Sequence, residues 1–207
     1  MRTFGLIGYP LQHSFSKQFF TEKFQNEAIE AEYVNFEISS IQEFKNILLT
    51  TPHLCGLNVT LPYKEKIIPY LNGLAESAQK VGAVNVIQII KKQNKTATIG
   101  HNSDLYGFME SIKPLIQTQT HTKALVLGTG GASKAIIQGL IKLNIKPQLV
   151  SRKRNKGILS YEDLTPDIIS QHKVIVNCTP LGTYPNVDSC PNLPYEKITS
   201  THLLYDL

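Results

Sequence analysis

The sequence predicts an α/β protein of two domains, each built on a parallel sheet covered by helices. Strand-like apolar segments alternate with amphipathic helical segments along the whole chain, which is the pattern of parallel sheets with helical crossovers. A length of 207 residues is sufficient for two small cores. The polar run Gln117–Thr122 is the best boundary between them. We therefore predict a first domain at residues 1–117 and a second at 118–207.

The elements of the first domain follow from hydrophobic periodicity. In chain order they are strand Thr3–Gly8, helix Ser16–Asn26, strand Glu32–Ile38, helix Ile41–Leu49, strand Leu54–Thr60, helices Pro62–Leu71 and Leu74–Val81, hairpin strands Val84–Ile90 and Thr96–Gly100 around the polar turn Lys91–Lys95, and helix Asp104–Ile116. Within the first helix, the spacing of Phe19, Phe20 and Phe24 places all three on one face.

Lys64 is an unusual residue at its predicted position. Proline is favoured at the first position of a helix, so a helix that begins at Pro62 places Lys64 in its first turn. The helix dipole disfavours a cation there. The lysine is therefore either solvated or a charge that is required at this one place.

The second domain begins with a strand, a glycine-rich turn and a helix. Its predicted elements are strand Lys123–Leu127, helix Ala132–Leu143, and strands Gln148–Ser151, Lys173–Asn177 and Leu203–Leu207. Gly128 and Gly130 allow a sharp turn and a close approach to a pyrophosphate, which the N–H groups of the next helix can bind. Gly131 and Ala132 keep the turn small, although Ser133 replaces the last small residue of the usual dinucleotide fingerprint. This favours dinucleotide binding over a plain strand-to-helix turn.

The end of the next strand indicates which dinucleotide is bound. An NAD site has an acidic residue about 20 residues after the glycines, where it binds the ribose 2′-hydroxyl. Here the strand runs into Ser151-Arg152-Lys153-Arg154, which offers two guanidinium groups to a 2′-phosphate. The alternative is a basic surface loop, but its position favours NADP. At the end of the third strand, Thr179, Pro180 and Gly182 could border the nicotinamide, or they could form an ordinary strand exit.

Composition excludes several classes of protein. A net charge of +5 with scattered basic residues does not form a nucleic-acid-binding stripe. No stretch approaches the roughly 20 apolar residues that cross a bilayer. Three cysteines without paired spacing favour a reduced, cytoplasmic compartment, and the six histidines include no helical ligand pair for a metal. We expect a soluble protein with a small-molecule substrate.

Polar clusters follow the strand ends of the first domain. Each has a structural explanation, because Ser16 and Asp104 could cap helices, Asn85 could close a turn and Lys64 could be solvated. Together they could form a binding site. Two hydroxyls beside a helix start, at Ser14 and Ser16, can bind a carboxylate, and a lysine facing an aspartate can share a proton beside a hydroxylated ring.

An ordered set of motifs resembles the shikimate dehydrogenase family from residue 5 to the end of the chain. The motifs are Ser14-x-Ser16, Asn58-Val59-Thr60-x-Pro62-x-Lys64, Gly82-Ala83-Val84-Asn85, Asn102-Ser103-Asp104-x-x-Gly107, Gly128-x-Gly130-Gly131-Ala132-Ser133 and Asn177-x-Thr179-Pro180-x-Gly182. Each motif alone is a weak signal, whereas the set in this order is highly specific.

The resemblance implies NADP-dependent interconversion of 3-dehydroshikimate and shikimate, in the route to aromatic amino acids. It also implies a substrate domain and a Rossmann-like cofactor domain, with the active site in the groove between them. The resemblance further implies a role for each site residue. Ser14 and Ser16 would bind the substrate carboxylate, Thr60, Asn85 and Asp104 would hold ring hydroxyls, and Lys64 would be catalytic, with Asp104 beside the reacting hydroxyl. The residues that would bind NADP are Gly128, Gly130, Gly131, Ala132, Ser151, Arg152, Lys153, Lys156, Thr179 and Gly182.

The chain departs from the family pattern at four places. Ser151 replaces an asparagine before the basic residues, and Thr183 replaces a common methionine. Between Lys156 and Lys173 there is little room for a full crossover helix. Family members continue past a strand such as Leu203–Leu207 with helices that return to the first domain. We expect these helices to be absent here, either through truncation or because the protein does without them.

Three alternatives remain open at this stage. The chain could be a relative that also accepts quinate, a relative that uses NAD, or a non-catalytic NADP-binding module. The retained Lys64 and Asp104 argue against the last of these. We expect a monomer or a homodimer.

Overall fold

The computed structural model describes residues 1–12, 14–93, 95–184 and 186–207. The chain forms two compact units, Met1–Ser103 and Asp104–Leu207. This division lies 14 residues before the predicted boundary at residue 117, because the helix that begins at Asp104 groups with the second unit. Its buried side chains Phe108 and Ile112 pack into the core of that unit. The unit to which this helix belongs is therefore indicated by the core that its apolar side chains join, and not by the polar run that follows it.

The first unit contains a six-stranded sheet. Its strands are β1 Arg2–Gly8, β2 Ala31–Glu37, β3 Leu54–Val59, β4 Gly73–Leu74, β5 Val86–Lys92 and β6 Lys95–His101, in the order β2-β1-β3-β5-β6-β4. β1 is parallel to β2 and β3, whereas β5 is antiparallel to both β3 and β6. The sheet is therefore mixed rather than fully parallel, because the predicted hairpin is part of it. The predicted turn Lys91–Lys95 includes Asn94, which is outside the described residues.

The helices of the first unit are α1 Ser16–Asn26, α2 Phe44–Thr50 and α3 Glu76–Val81. The helix predicted at Pro62–Leu71 is wrong: turns follow β3 and end in a short 3₁₀ helix at Ile68–Tyr70. Pro69 explains the difference, because proline lacks the N–H of a helical hydrogen bond and disfavours α geometry at the residue before it.

Two apolar clusters pack on the first sheet. The larger one includes Ile7, Phe44 and Ile87, all fully buried. In the other, Phe20 of α1 stacks on Tyr33 of β2 with ring centroids 4.7 Å apart. Phe20 and Phe24 lie on the predicted apolar face of α1, but Phe19 is exposed.

The second unit is a five-stranded parallel sheet. Its elements are α4 Asp104–Ile112, β7 Lys123–Leu127, α5 Gly131–Lys142, β8 Lys146–Ser151, β9 Ile158–Ser160, α6 Pro166–Gln171, β10 Val174–Asn177 and β11 Leu203–Asp206. The strand order is β11-β10-β7-β8-β9. The order reverses between β7 and β10, which is the switch point where doubly wound sheets bind ligands. The predicted α/β fold is confirmed, and the connection from β9 to β10 holds a 3₁₀ helix at Tyr161–Asp163 and the six-residue helix α6.

None of the helices in the described ranges is long and apolar enough to cross a membrane.

Candidate active site

Backbone hydrogen bonds bring three of the predicted site residues together at one edge of the first sheet. The Thr60 N–H donates to the Ile7 carbonyl at 2.9 Å, directly after the end of β3. The Asn85 carbonyl accepts from the Val59 N–H at 2.9 Å, and the Lys64 carbonyl accepts from the Val84 N–H at 2.7 Å. Thr60, Lys64 and Asn85 therefore lie around the end of β3 and the start of β5.

Lys64 is half-buried and lies in the turn that follows β3. The expectation that it sits in the first turn of a helix is wrong, so no helix dipole acts on it there. The turn is held by the Tyr63 side chain, which is 3% exposed and whose hydroxyl donates to the Ile38 carbonyl at 2.6 Å. The position of Lys64 is thus fixed by a buried neighbour and by its own backbone.

The predicted carboxylate-binding serines lie at the start of α1. The Ser14 hydroxyl oxygen accepts a hydrogen bond from the Ser16 N–H at 3.4 Å. Ser16 is the first residue of α1 and Phe15 occupies the cap position, so the suggestion that Ser16 caps the helix is wrong. Both serines are half-buried and remain candidates for an anion.

Tyr33 of β2 and Asn58 of β3 form a hydrogen bond within the first sheet. The Tyr33 hydroxyl donates to Asn58 Oδ1 at 2.7 Å. Burial raises the pKa of Tyr33 well above its usual value, an effect that the nearby Ser16 side chain partly opposes. Sequence reasoning did not single out Tyr33, although an inward-facing tyrosine beside an aromatic helix face is a usable signal.

Asn85 and Ser103 form a reciprocal pair of hydrogen bonds. Asn85 Nδ2 donates to the Ser103 hydroxyl at 2.9 Å, and Asn85 Oδ1 accepts from the Ser103 N–H at 2.9 Å. The neighbouring Asn102 is buried and donates to the Ala83 carbonyl at 3.1 Å. These bonds fix the orientation of the Asn85 amide, a role that the sequence did not predict for Ser103.

Asp104 directly follows Ser103 and belongs to the second unit. The sequence suggested that Asp104 caps this helix, but Asp104 is itself the first residue of α4. Its side chain is half-buried. A carboxylate in the first turn is stabilised by the helix dipole.

The glycine turn of the second unit has the geometry of a phosphate site. Gly128 has a φ of +105°, and a Cβ there would lie 3.1 Å from the Cys178 carbonyl oxygen. A Cβ at Gly130 would meet nothing within 4 Å, so space is open beside the turn. The twelve-residue helix α5 begins directly after it, at Gly131. The turn and helix start therefore fit a pyrophosphate.

Ser133, which departs from the dinucleotide fingerprint, has a structural role in the turn. It is 2% exposed, and its hydroxyl donates to the Gly130 carbonyl at 2.7 Å. The side chain thus stabilises the turn from inside the helix, and Ala132 beside it is half-buried.

The basic loop after β8 carries exposed cations. The Ser151 hydroxyl donates to the Lys153 carbonyl at 2.6 Å and accepts the Lys153 N–H at 3.3 Å. Arg154 Nε lies 3.4 Å from Asp163 Oδ2, whereas no described carboxylate pairs with Arg152, Lys153 or Lys156. Of the two guanidinium groups predicted to bind a 2′-phosphate, Arg154 therefore has a described carboxylate partner, and the role of both groups stays a prediction.

The loop after β10 contains the last predicted cofactor residues. Gly182 has a φ of +88°, and its N–H donates to the Ser189 hydroxyl at 3.0 Å. The Thr179 hydroxyl donates to Asn177 Oδ1 at 2.6 Å, so this group is engaged within the loop. Together with the turn at Gly128, the loop lies at the carboxyl ends of β7 and β10.

Sequence comparisons point to one family. A family model described as the shikimate dehydrogenase substrate binding domain matches residues 6–87. The shikimate dehydrogenase (NADP(+)) of Aquifex aeolicus is 35% identical over 99% of this chain and 77% of its own length. The enzyme of the same name from Methanosphaera stadtmanae is 31% identical over 98% of this chain and 76% of its own length.

Solved structures agree with the sequence comparisons. Shikimate dehydrogenase 1 from Peptoclostridium difficile matches 100% of this chain and 77% of its own chain, with a TM-score of 0.83 and 36% identity. A shikimate dehydrogenase solved in complex with NADP+ has a TM-score of 0.83 and 26% identity over 100% of this chain and 76% of its own.

Proposed function

This chain belongs to the shikimate dehydrogenase family, and from that membership we propose how its residues bind and convert the substrate. It is an NADP-dependent oxidoreductase that interconverts 3-dehydroshikimate and shikimate, a step in the formation of aromatic amino acids. The observation that carries the proposed site is the convergence of Thr60, Lys64 and Asn85 around the end of β3.

Lys64 is the catalytic residue in this proposal. Reduction of 3-dehydroshikimate adds a hydride to the C3 carbonyl carbon and a proton to its oxygen. NADPH supplies the hydride when it is bound. The Lys64 ammonium stabilises the negative charge that grows on the oxygen and donates the proton, and in the reverse direction the Lys64 amine accepts it. Asp104 orients the reacting hydroxyl.

The remaining polar residues of the first unit bind and orient the ring. Ser14 and Ser16 donate hydrogen bonds to the substrate carboxylate. Thr60 and Asn85 bind ring hydroxyls, and Asn85 is held in place by Ser103. Fixed donors of this kind reduce the entropy that substrate binding would otherwise cost.

The second unit binds NADP. The turn Gly128–Gly130 and the start of α5, at Gly131 and Ala132, bind the pyrophosphate through their backbone N–H groups. The loop of Ser151, Arg152, Lys153 and Lys156 binds the 2′-phosphate, and the segment from Thr179 to Gly182 borders the nicotinamide. A cytoplasmic location, a monomeric or homodimeric state and the absence of a nucleic-acid partner stay predictions.

A Lys64→Ala substitution tests the catalytic role. We expect kcat to fall by about 10²–10⁴-fold, the range that general acid–base groups contribute, while KM for shikimate changes by less than about threefold. Steady-state kinetics with shikimate and NADP separate the two effects.

Lys66→Ala is the matched control, because Lys66 is an exposed lysine two residues further along the same turn. Its kcat should stay within about twofold of that of the unmodified chain, as for surface substitutions in general. Equal losses in kcat and in substrate affinity at Lys64→Ala would contradict the acid role.

A further inference from the structure

The loop after β10 is organised by one side chain, Asn177. Asn177 Oδ1 accepts the Thr179 N–H at 3.0 Å and the Thr179 hydroxyl at 2.6 Å. Its Nδ2 donates to the Leu181 carbonyl at 3.1 Å and to Asp206 Oδ1 at 2.7 Å. The amide thereby uses both of its protons and both acceptor positions. An exchange of its oxygen and nitrogen would place two donors together at Thr179, so the partners define a single orientation.

The hydrogen bonds of Thr179 complete this network. Besides donating to Asn177, its hydroxyl oxygen accepts the Leu181 N–H at 3.3 Å. Asn177, Thr179 and Leu181 are therefore linked in a closed set of hydrogen bonds, which leads directly into Gly182 with its positive φ. The Asn177 amide therefore contributes directly to the conformation of the loop.

Asp206 joins this network to the neighbouring strand. It is the last residue of β11, and it pairs with Asn177, the last residue of β10, in the parallel register. The carboxylate accepts one of the two Asn177 protons and so holds the amide in place. Hydrogen bonds to a charged acceptor are about twice as strong as those between neutral groups.

The loop lies against the glycine turn. A Cβ at Gly128 would come within 3.1 Å of the Cys178 carbonyl oxygen and 3.2 Å of Thr179 Cγ2. Because the contact is this close, a small displacement of the loop would alter the surface that the turn offers to a cofactor.

We infer that Asn177 and Asp206 are positioning residues for NADP binding: Asn177 holds the loop from Thr179 to Gly182 beside the glycine turn, and Asp206 holds Asn177. Neither side chain needs to touch the cofactor. The inference rests on the proposed NADP site of the second unit.

Three variants of the full chain test this inference through NADPH affinity, measured by the fluorescence of the bound dinucleotide. Asn177→Ala removes four hydrogen bonds and should raise Kd about tenfold or more, which corresponds to about 1.4 kcal/mol. Asp206→Ala should raise Kd about threefold to tenfold, less than Asn177→Ala, because it removes only one of the four hydrogen bonds of the Asn177 amide. Asp206→Asn keeps an Oδ1 acceptor and should bind NADPH within about twofold of the unmodified chain.

Gln171→Ala is the matched control. Gln171 Oε1 accepts from Lys123 Nζ at 2.9 Å, so the variant also loses a side-chain hydrogen bond in the second unit, but at the amino end of β7. Its Kd for NADPH should be unchanged. In all four variants KM for shikimate at saturating NADP should stay within about twofold, because the proposed substrate residues are in other segments.

Two results would overturn the inference alone, given that the unmodified chain binds NADPH. One is a Kd for Asn177→Ala and Asp206→Ala within twofold of the unmodified chain, even if their melting temperatures fall. The other is an Asp206→Asn variant as weak as Asp206→Ala. Failure of the unmodified chain to bind NADPH would instead overturn the proposed cofactor site and this inference together.

Discussion

At the residue scale, hydrogen bonds to neighbouring side chains hold several site residues in place. Asn85 is held by Ser103, Asn58 accepts from the Tyr33 hydroxyl, and Thr179 donates to Asn177. Orientation by such partners is what keeps a binding group within the narrow geometry that catalysis requires.

The sequence motifs contain Asn58, Ser103 and Asn177, but they did not predict that these residues orient others, and they do not contain Tyr33. Ser14, Thr60 and Lys64 follow recognisable strand ends, so their types and spacing carry a signal. Tyr33 and Asn58 are 25 positions apart, and their contact depends on the pairing of β1 with both β2 and β3. Such contacts depend on tertiary structure, which local sequence patterns do not encode.

The choice of NADP over NAD should depend on Arg152. Arg152→Ala is expected to weaken NADPH binding by about 10-fold to 150-fold, because one charge-assisted contact to the 2′-phosphate contributes about 1.5–3 kcal/mol. The affinity for NADH, which lacks this phosphate, should not change. Dinucleotide fluorescence titrations with NADPH and NADH measure both values.

Arg154→Ala is the control for this comparison, because Arg154 is exposed but directed to Asp163. Hydrogen bonds from Ser160 and the nearby Arg154 charge lower the pKa of Asp163, so its carboxylate is charged at neutral pH and keeps this arginine paired. A loss of NADPH affinity at Arg154→Ala equal to that at Arg152→Ala would contradict the assignment.

At the element scale, long periodic segments were predicted well and segments shaped by proline were not. Helix Ser16–Asn26 and strand Lys123–Leu127 have their predicted bounds. The helix predicted from Pro62 is absent because Pro69 lies inside it. The helix predicted at Leu74–Val81 begins two residues later, at Glu76, because Leu74 belongs to β4, which pairs with β6. The first helix pattern is overridden by the backbone chemistry of Pro69, and the second by strand pairing.

The packing of α4 on α5 depends on Gly139. A Cβ at this buried position would lie 2.7 Å from Cδ1 of Phe108, which is 3% exposed and cannot easily move. Gly139→Ala should therefore lower the free energy of unfolding by about 1–3 kcal/mol, the usual cost of overpacking a core. Urea unfolding followed by circular dichroism measures the change.

Gly107 provides the opposite case in the facing helix. It is exposed in α4, and a Cβ there would meet nothing within 4 Å. Gly107→Ala should raise the free energy of unfolding by about 0.5–1 kcal/mol through helix propensity. If both variants changed stability in the same direction, the steric explanation for Gly139 would be wrong.

At the scale of the whole molecule, each unit has a core of its own and carries one part of the proposed chemistry. The alternation of strands and helices predicted the fold class, and the glycine turn predicted which half resembles a dinucleotide-binding domain. The boundary could not be read from composition, because it depends on Phe108 and Ile112 packing into the second core. The assignment of substrate to the first domain and cofactor to the second stays a prediction at the level of individual residues.

The most direct test of the central claim is NADPH formation by the 207-residue chain with shikimate and NADP, followed at 340 nm. Parallel reactions replace NADP with NAD and shikimate with quinate, and Lys64→Ala supplies the inactive reference. We predict turnover with shikimate and NADP that exceeds every other combination. Binding of both ligands without any turnover, or turnover that Lys64→Ala leaves intact, would contradict the account.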